Sequence, residues 1–467
     1  MFCFAFALIP SMNDIFSSFS FEKRRSVIYI LCFFTAAPHR KAGVICRKAQ
    51  KSANILYEKI LRNSTMKTIG IIAECNPLHK GHEYLLREAK KRSGADSVIV
   101  IMSGDFVQRG EPAVFDKEQR TKALLSSGAD LVLQLPVLYS CAAAEYFARG
   151  AVLSLGATQL VSELWFGSES GDEPLLQRNA AFLENEPAEY RRFLRKYLAE
   201  GIAFPLASAK AAKACGLARD LRVNLDLRAN DLLGTLYIRT IRKYGLPLKA
   251  HALPRVPAPN ASGIRRELLS RRDNRGYASG AFCMSPDDFS AQLEAVLFEL
   301  FSAIRSGYNT SLTDYLDVTP DTGNRIRRCF PRYTSFTGFC AALKSKDLTY
   351  TRISRILTHI LLGITKDTMK AAEDAGNIGY LRVLGMRKDA SCLLSALVKS
   401  SSVPVITNAS SVPELSAPFE RLLAADYRTG ELYRMIRRQK ILSGCGKGDL
   451  DCVAPLLSEY SSELVKV

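Results

Sequence analysis

The chain has 467 residues, with 64 Lys and Arg against 46 Asp and Glu, a formal net charge of +18, and 47% hydrophobic residues. This composition is typical of a globular protein and excludes a chain that is disordered along its whole length. No run reaches the roughly 18 to 20 apolar residues of a membrane-spanning helix, so we do not expect an integral membrane protein. The basic excess favours a polyanionic partner such as RNA or DNA, although charge alone leaves open a protein that binds no nucleic acid.

Residues 1–65 differ from the rest of the chain. They contain ten Lys and Arg against three Asp and Glu, and their apolar runs, 2–10 and 27–37, are irregular and rich in Phe and Cys. A cleavable signal peptide or an organelle transit segment is one interpretation. We favour the other, a non-native or mis-assigned extension with Met66 as the start, because Met66 leads directly into a core strand.

Twelve cysteines are scattered along the chain, and no CxxC pair occurs. The closest pairs have no histidines nearby that could complete a zinc site. We therefore expect reduced thiols in a cytoplasmic protein and no metal site built on cysteine.

From Met66 onward, short apolar runs alternate with amphipathic segments. Strands are predicted at 68–73, 96–102, 130–135, 163–166 and, as the last strand of the sheet, 248–253. Helices are predicted at 81–93, 116–127, 142–155, 173–184, 189–200, 206–215 and 230–244. This alternation predicts an α/β fold with a doubly wound parallel sheet and right-handed crossovers.

The chain after Pro286 is predicted to be mainly helical. A strand-helix-strand unit is expected at 381–406, and helices near 415–442 close the chain. We therefore predict a catalytic α/β domain over 66–285, with a helical insertion at about 172–228. A mainly helical C-terminal region follows over 286–467.

The most informative stretch is residues 72–82, Ile-Ala-Glu-Cys-Asn-Pro-Leu-His-Lys-Gly-His. It follows the first strand and opens the first helix, where the loops of an open α/β sheet bind ligands. Two imidazoles beside a helix N-terminus, with Gly81 allowing close backbone approach, suit a phosphate chain and adenylyl transfer. Position alone favours a nucleotide site and leaves open a structural strand-helix turn or a metal-binding histidine pair.

Several motifs carry a resemblance to a known family. Residues 79–82 match the HxGH-type signature of the nucleotidyltransferase superfamily, and Asn260 to Arg265 are similar to its second signature, ISSTxIR. Further motifs stand at 70–82, 102–113, 133–136, 147–150 and 166–169. Together they resemble the bacterial tRNA(Met) cytidine acetate ligases, from Met66 to about Ile406.

The resemblance implies a nucleotidyltransferase-type fold and a definite reaction. These enzymes use ATP to activate acetate as acetyl-adenylate, release pyrophosphate, and transfer acetyl to N4 of the wobble cytidine in elongator tRNA(Met). Acetyl-CoA is not required, and Mg²⁺ is expected to accompany the triphosphate. His79 and His82 are the implied catalytic residues. The implied ATP-binding residues are Ile72, Ala73, Glu74, Cys75, Asn76, Pro77, Leu78, His79, Lys80, Gly81, His82, Glu83, Tyr84, Leu85, Gly167, Asn230 and Arg255.

Four further residues are candidates for substrate contacts. Ser262 and Arg265, in the second signature, are expected to hold the β- and γ-phosphates. Asp105 and Arg109, after the second strand, are expected to contact acetate or the incoming cytidine, and a capped loop with an ion pair is the alternative.

Two groups of basic and aromatic residues are candidate RNA-contacting surfaces, although such groups are more often solvated helix faces. The first extends from Arg325 to Tyr333 and the second from Tyr433 to Lys440.

Two other functions stay open at this point. One is an adenylyltransferase that acts on a small phosphorylated metabolite, and the other is an RNA-binding protein with an inactive nucleotide site. The paired histidines argue against the second, and the basic charge against the first.

Overall fold

A computed structural model describes residues 66–200, 202, 204–216, 223–256, 259, 261–270, 283–346, 348–444 and 465–467. The N-terminal segment 1–65 and Asn260 of the second signature lie outside these residues.

The first part of the chain forms most of a sheet and the helices on its faces. Its elements are β1 (Thr68–Ala73), α1 (Lys80–Ser93), β2 (Ser97–Ser103), β3 (Phe106–Val107), β4 (Glu111–Pro112), α2 (Lys117–Ser126), β5 (Leu131–Leu135), α3 (Val137–Ser140), α4 (Ala144–Ala157) and β6 (Val161–Ser168). All residues of β1 and β2 are buried, as their uninterrupted apolar runs predict.

The next segment packs helices beside the sheet and then adds a strand. Its elements are α5 (Glu173–Glu184), α6 (Ala188–Ala199), α7 (Phe204–Ala214), α8 (Ala229–Lys243), β7 (Lys249–Pro254) and α9 (Ala261–Ser270).

The C-terminal region is mainly helical, as predicted. Its elements are α10 (Ser290–Arg305), α11 (Pro320–Cys329), α12 (Phe336–Leu343), α13 (Tyr350–Leu362), α14 (Lys366–Asp374), β8 (Leu381–Met386), α15 (Ser391–Ser400), β9 (Val405–Ile406), α16 (Ala417–Gly444) and β10 (Val465–Lys466).

The main sheet has the strand order β10-β8-β5-β2-β1-β6-β7, and β9 also pairs with β8. Strands β5, β2, β1, β6 and β7 are parallel. The chain runs outward from β1 through β2 to β5, then returns to the other side of β1 for β6 and β7. This reversal confirms the doubly wound α/β class, and it creates a switch point between β1 and β6, where such sheets bind ligands.

β7 is an edge strand, but β8, β9 and β10 join the sheet later in the chain, so the prediction that residues 248–253 form its last strand is wrong. Strand β8 lies antiparallel to β5, with Arg382 opposite Gln134. Residues 381–406 do form the predicted strand, helix and strand, but these strands extend the same sheet. Periodicity identified the elements and could not reveal with which strand they pair.

Buried polar contacts join the C-terminal helices to the α/β part. The ring of His359 on α13 is fully buried, and its two nitrogens each lie 3.0 Å from a carbonyl oxygen, of Leu316 and of Cys141. The described part of the chain contains seven cysteines, all of them free thiols.

Candidate active site

The carboxyl ends of β1, β6 and β7 and the N-termini of α1 and α8 surround a cavity of about 310 Å³. Thirteen of the predicted ATP-binding residues line this cavity. They are Ile72, Ala73, Glu74, Cys75, Asn76, His79, Gly81, His82, Tyr84, Leu85, Gly167, Asn230 and Arg255.

Four residues of the predicted segment do not line the cavity. Lys80 and Glu83 are exposed on the outer side of α1. Pro77 is buried, and Leu78 packs against the apolar cluster below the helix. The helical period explains the positions of Lys80 and Glu83, because residues three apart share one face of a helix, here the outer face.

His79 and His82 cap the N-terminus of α1 reciprocally. The Gly81 N–H donates to His79 Nδ1 at 3.0 Å, and the His79 N–H donates to His82 Nδ1 at 3.3 Å. The two rings lie against each other with centroids 3.9 Å apart. Imidazoles thus replace the Ser and Glu of an ordinary capping box, so both rings have fixed positions at a helix N-terminus.

These contacts determine which ring nitrogen carries the proton. Because each Nδ1 accepts a hydrogen bond, the proton of the neutral ring is on Nε2, which is therefore a donor. Burial, the neighbouring His79 and Arg255 lower the pKa of His82 to about 3. Burial also lowers the pKa of His79. Both rings stay neutral near pH 7 and present N–H groups that suit phosphate oxygens.

Gly81 is required because its hydrogen faces the capping ring. A Cβ at this position would lie 2.9 Å from Cε1 and 3.0 Å from Nδ1 of His79. Any side chain here would displace the imidazole from its cap.

The opposite wall of the cavity is organised by Glu169, which the sequence interpretation did not select as a site residue. Its carboxylate accepts from Asn230 Nδ2 at 2.7 Å and from the N–H groups of Asn230 and Asp231 at 3.1 and 3.0 Å. Arg255 Nη1 lies 3.4 Å from the same carboxylate. One acidic residue therefore positions two of the predicted contacts, Asn230 and Arg255.

Asp231 fixes the loop that carries Glu169. The buried Asp231 carboxylate accepts hydrogen bonds from the Ser168 hydroxyl and from the N–H groups of Glu169 and Ser170. Gly167 lies just before this loop, and a Cβ there would contact only Arg255 Cγ, at 3.6 Å. The backbone of Gly167 is thus open toward the cavity.

Ser262 and Arg265 stand at the start of α9 and line the cavity. Arg265 donates from Nη1 to the Asn76 carbonyl at 2.7 Å and from Nη2 to the Ser262 hydroxyl at 3.2 Å. The second signature is thereby held against the β1 loop, and its guanidinium and hydroxyl lie together at one wall.

Of the pair after β2, only Arg109 lines the cavity. Asp105 is buried in an ion pair with Lys117 at 2.6 Å and also accepts from the Lys117 N–H at 2.9 Å. Burial alone would raise the pKa of Asp105, but its contacts with Lys117 hold that pKa below the usual value. Asp105 thus has the contacts of the alternative interpretation, a capped loop with an ion pair.

Glu74 directly follows β1, and hydrogen bonds hold both its backbone carbonyl and its side-chain carboxylate. Its carbonyl accepts from Arg120 Nη1 at 2.8 Å, and its carboxylate Oε1 accepts from the Gln108 N–H at 2.6 Å. Burial raises the pKa of Glu74, while the Gln108 N–H, Arg265 and Arg109 oppose that rise. Burial likewise raises the pKa of the neighbouring Cys75 thiol to about 12, so Cys75 is not a reactive thiolate.

Comparisons with known proteins point to one family. The model of the HIGH Nucleotidyl Transferase family matches residues 66–445. The tRNA(Met) cytidine acetate ligase of Acetivibrio thermocellus is 32% identical over 407 residues, which cover 82% of this chain and 98% of that relative. The protein of the same name from Clostridium acetobutylicum is 33% identical over 363 residues, which cover 73% of this chain and 90% of that relative.

The chain belongs to the tRNA(Met) cytidine acetate ligase family. The crystal structure of Thermotoga maritima TmcAL bound with alpha-thio ATP matches it with a TM-score of 0.72 and 27% identity, covering 86% of this chain and 100% of that one. The apo form of TmcAL matches with a TM-score of 0.73 and the same coverage. The predicted family and fold are confirmed.

Some residues in the family motifs stabilise the fold and do not face the cavity. A Cβ on Gly150 would lie 2.3 Å from Cγ of Tyr139, and Gly110, with φ of 69°, packs on the backbone of Arg355. Arg149 forms an ion pair with Glu373 and stacks on Tyr146, 4.8 Å from the ring centroid.

An apolar wall of the cavity was not predicted as part of the site. Phe147, Phe166, Leu233 and Tyr237 line it, and all except the half-buried Leu233 are nearly inaccessible. Phe147 and Phe166 stand in the motifs at 147–150 and 166–169, so the family resemblance carried a signal for them. Leu233 and Tyr237, on α8, lie in no motif.

The two basic and aromatic groups have different roles. In the second, Tyr433 and Arg437 are buried, Arg437 lies 3.5 Å from Asp116, and Lys440 lies 2.7 Å from Asp288. Tyr433 and Arg437 belong to the core, whereas Arg438 of the same group is exposed. In the first, Arg325 donates to the carbonyls of Leu343 and Lys344 at the end of α12. The exposed members of the first group are Arg327, Arg328 and Arg332.

Two absences hold for the described residues. No three His, Cys, Asp or Glu side chains gather there in a way that would hold a metal ion. None of the helices in that part of the chain combines the length and the apolar character needed to cross a membrane.

Proposed function

We propose that this chain uses ATP to activate acetate as acetyl-adenylate, with release of pyrophosphate, and transfers acetyl to N4 of the wobble cytidine of elongator tRNA(Met). The observation that carries the proposal is the histidine capping box, which places two neutral Nε2–H donors beside a helix N-terminus. Preorganised donors of this kind stabilise the charge that shifts on the α-phosphate during adenylyl transfer.

The residues around the cavity support a division of the nucleotide between two walls. His79, His82 and Gly81 would receive phosphates on one side, with Ser262 and Arg265 beside them at the start of α9. The open backbone of Gly167, with Asn230 and the apolar wall, suits the adenosine. Arg255, held by Glu169, would approach the phosphates from the opposite wall.

The acid would enter on the side of Arg109, whose guanidinium suits a carboxylate. Joining acetate to AMP in one cavity makes the attack effectively unimolecular, and the mixed anhydride supplies the driving force for the second step. The proposed reaction uses no acetyl-CoA. Because Asp105 is already paired with Lys117, we leave it out of the proposed substrate contacts.

Mg²⁺ is expected to arrive with the triphosphate. Mg²⁺ commonly binds through substrate phosphates and only one or two carboxylates, and it keeps several waters. Of the two acidic residues that line the cavity, Glu169 already accepts from Asn230, Asp231 and Arg255, so phosphate oxygens and waters would be the main ligands of the ion. When bound, the ion would neutralise phosphate charge.

The remaining parts of the proposal concern the RNA. The net charge of +18 and the exposed arginines at 327, 328 and 332 suit a phosphate backbone. The free thiols are consistent with a reducing compartment, and we propose a cytoplasmic location.

A direct test is to incubate the protein with ATP, Mg²⁺, labelled acetate and bulk bacterial tRNA, and then to analyse the nucleosides. We expect label in N4-acetylcytidine that depends on ATP. Label confined to other nucleosides would contradict the wobble-cytidine acceptor. ATP turnover with unlabelled tRNA would favour an adenylyltransferase of a small phosphorylated metabolite, and RNA binding without ATP turnover would favour a non-catalytic protein.

A further inference from the structure

The second step of the proposed reaction requires a place for a proton. When the N4 amine attacks the carbonyl carbon of acetyl-adenylate, a C–N bond forms and the C–O bond to AMP breaks. The phosphate of AMP takes the bonding electron pair. The nitrogen must then lose one proton to become a neutral amide. A group that lines the cavity is well placed to accept this proton.

Four side chains that line the cavity could in principle exchange a proton near neutral pH: His79, His82, Glu74 and Glu169. The histidines are unsuitable, because each Nδ1 already accepts a backbone N–H and each Nε2 already carries a proton. Neither ring has a free lone pair with which to accept another.

Glu169 is also unsuitable. It accepts four hydrogen bonds from Asn230 and Asp231 and lies 3.4 Å from Arg255. These contacts occupy the lone pairs of both oxygens, so neither oxygen is left to accept a proton from the substrate.

Glu74 is different, since among the described residues its carboxylate has one hydrogen-bond donor, the N–H of Gln108. Arg120 holds its carbonyl, so the side chain starts from a fixed backbone. Arg265 and Arg109 lie close enough to favour its charged form, and burial disfavours that form. This balance makes the carboxylate a stronger base than an exposed glutamate.

We propose that Glu74 is the general base of the acetyl-transfer step and accepts the N4 proton as the C–N bond forms. This inference rests on the proposed function and goes beyond it, because the first step, attack of a carboxylate on ATP, releases no proton and needs no base. Glu74 is therefore expected to matter far more for transfer than for activation.

The two half-reactions separate these roles. Acetate-dependent exchange of labelled pyrophosphate into ATP measures activation without RNA, and a single turnover with labelled acetate and tRNA measures transfer. In Glu74→Gln, which keeps the size and the Gln108 contact, we expect transfer to fall about 100-fold or more, and exchange by less than about ten-fold. Glu74→Asp keeps the carboxylate and is expected to recover part of the transfer rate.

The control is Glu189→Gln, which removes an exposed carboxylate from α6 outside the cavity and should leave the ratio of transfer to exchange unchanged. An equal fall in both rates, or no fall in either, would overturn the role of Glu74 and direct the proton to AMP or to water. If Glu74→Gln lacks exchange altogether, the same ratio is measured in Glu74→Asp, where an unchanged ratio would also overturn it. Absence of acetate-dependent exchange in the unmodified protein would instead contradict the proposed function.

Discussion

The carboxyl ends of β1 and β2 lie side by side on one sheet, yet the polar side chains that follow them differ in hydrogen bonding. Those after β1 keep capacity for a ligand, and those after β2 are paired with one another. After β1, each histidine uses one nitrogen for capping and keeps an Nε2–H, and Glu74 keeps an oxygen free of backbone donors. After β2, Asp105 is paired with Lys117, and the buried Arg120 donates to the carbonyls of Glu74, Ser103, Gly104 and Phe115.

This difference in hydrogen-bonding capacity distinguishes the residues of a ligand site from the residues that hold the site in place. Buried polar groups that satisfy one another make a region rigid, and they have nothing left to offer a ligand. The β1 side retains hydrogen-bonding capacity, and it can do so because Arg120 on the β2 side holds its loop in place. Substitutions on the two sides should therefore affect different quantities, the free energy of unfolding on one and substrate turnover on the other.

The largest effect is expected for Arg120→Met. This change removes the hydrogen bonds that four carbonyl groups accept from the buried guanidinium, and each loss costs about 1 to 3 kcal/mol. We expect the free energy of unfolding, measured by urea denaturation, to fall by at least about 3 kcal/mol. Arg87→Met, at an exposed position on α1, is the matched control. A fall below about 1 kcal/mol would show that Arg120 does not support the loop.

On the β1 side, Gly81→Ala should affect catalysis and not folding. The added methyl group would lie within 3.0 Å of the His79 ring and displace its Nε2–H. We expect kcat/KM for ATP to fall about 10- to 100-fold, as for the loss of one aligned donor. Gly323→Ala, where the added Cβ meets its nearest neighbour at 3.4 Å, controls for a glycine change in a helix. Unchanged kcat/KM would mean that His79 does not contact the nucleotide.

A smaller effect is expected for Glu169→Gln. The amide keeps the shape but loses the charge opposite Arg255, and it cannot accept all the hydrogen bonds of the carboxylate. We expect KM for ATP to rise about three- to ten-fold, with kcat changed less, because Glu169 acts by positioning Asn230 and Arg255. Glu145→Gln, at an exposed position paired with Arg239, is the control. If kcat and the free energy of unfolding both fell as well, the role of Glu169 would instead be merely structural.

The sequence predicted the local contacts of the site better than the contacts between residues far apart in the chain, for a physical reason. The histidine capping box depends on residues three apart, so a local pattern reveals it. The contacts of Glu169 with Asn230 join residues 61 positions apart, and Arg120 reaches Glu74 across 46 positions. Composition and periodicity do not encode such pairings, and for the same reason the antiparallel pairing of β8 with β5 was missed.

Asp105 illustrates the converse case. The sequence left open whether this carboxylate contacts substrate or forms an ion pair in a capped loop, and in the structure a lysine twelve residues later pairs with it. Whether a charged side chain serves a ligand or the fold depends on its neighbours, which only the structure supplies.

The smallest expected effect concerns pH and the free energy of unfolding. Burial lowers the pKa of His82 to about 3, whereas an unfolded histidine titrates near about 6.5. The unfolded chain therefore binds the proton first, so stability is lost as pH falls from about 6.5 towards 3. We expect the fall in Tm between pH 6.5 and pH 5, measured by thermal unfolding, to be smaller in His82→Asn. It should not vanish, because burial also lowers the pKa of His359. An unchanged pH dependence would show that His82 is not held neutral.

The most direct test of the nucleotide site is acetate-dependent pyrophosphate exchange without RNA, in the unmodified protein and in His79→Ala/His82→Ala. His251→Ala, a half-buried histidine on β7 that does not line the cavity, is the matched control. We expect exchange in the unmodified protein and in the control, and a loss of at least about 100-fold in the double variant. Exchange that persists in the double variant would contradict the assignment of ATP phosphates to the histidine capping box.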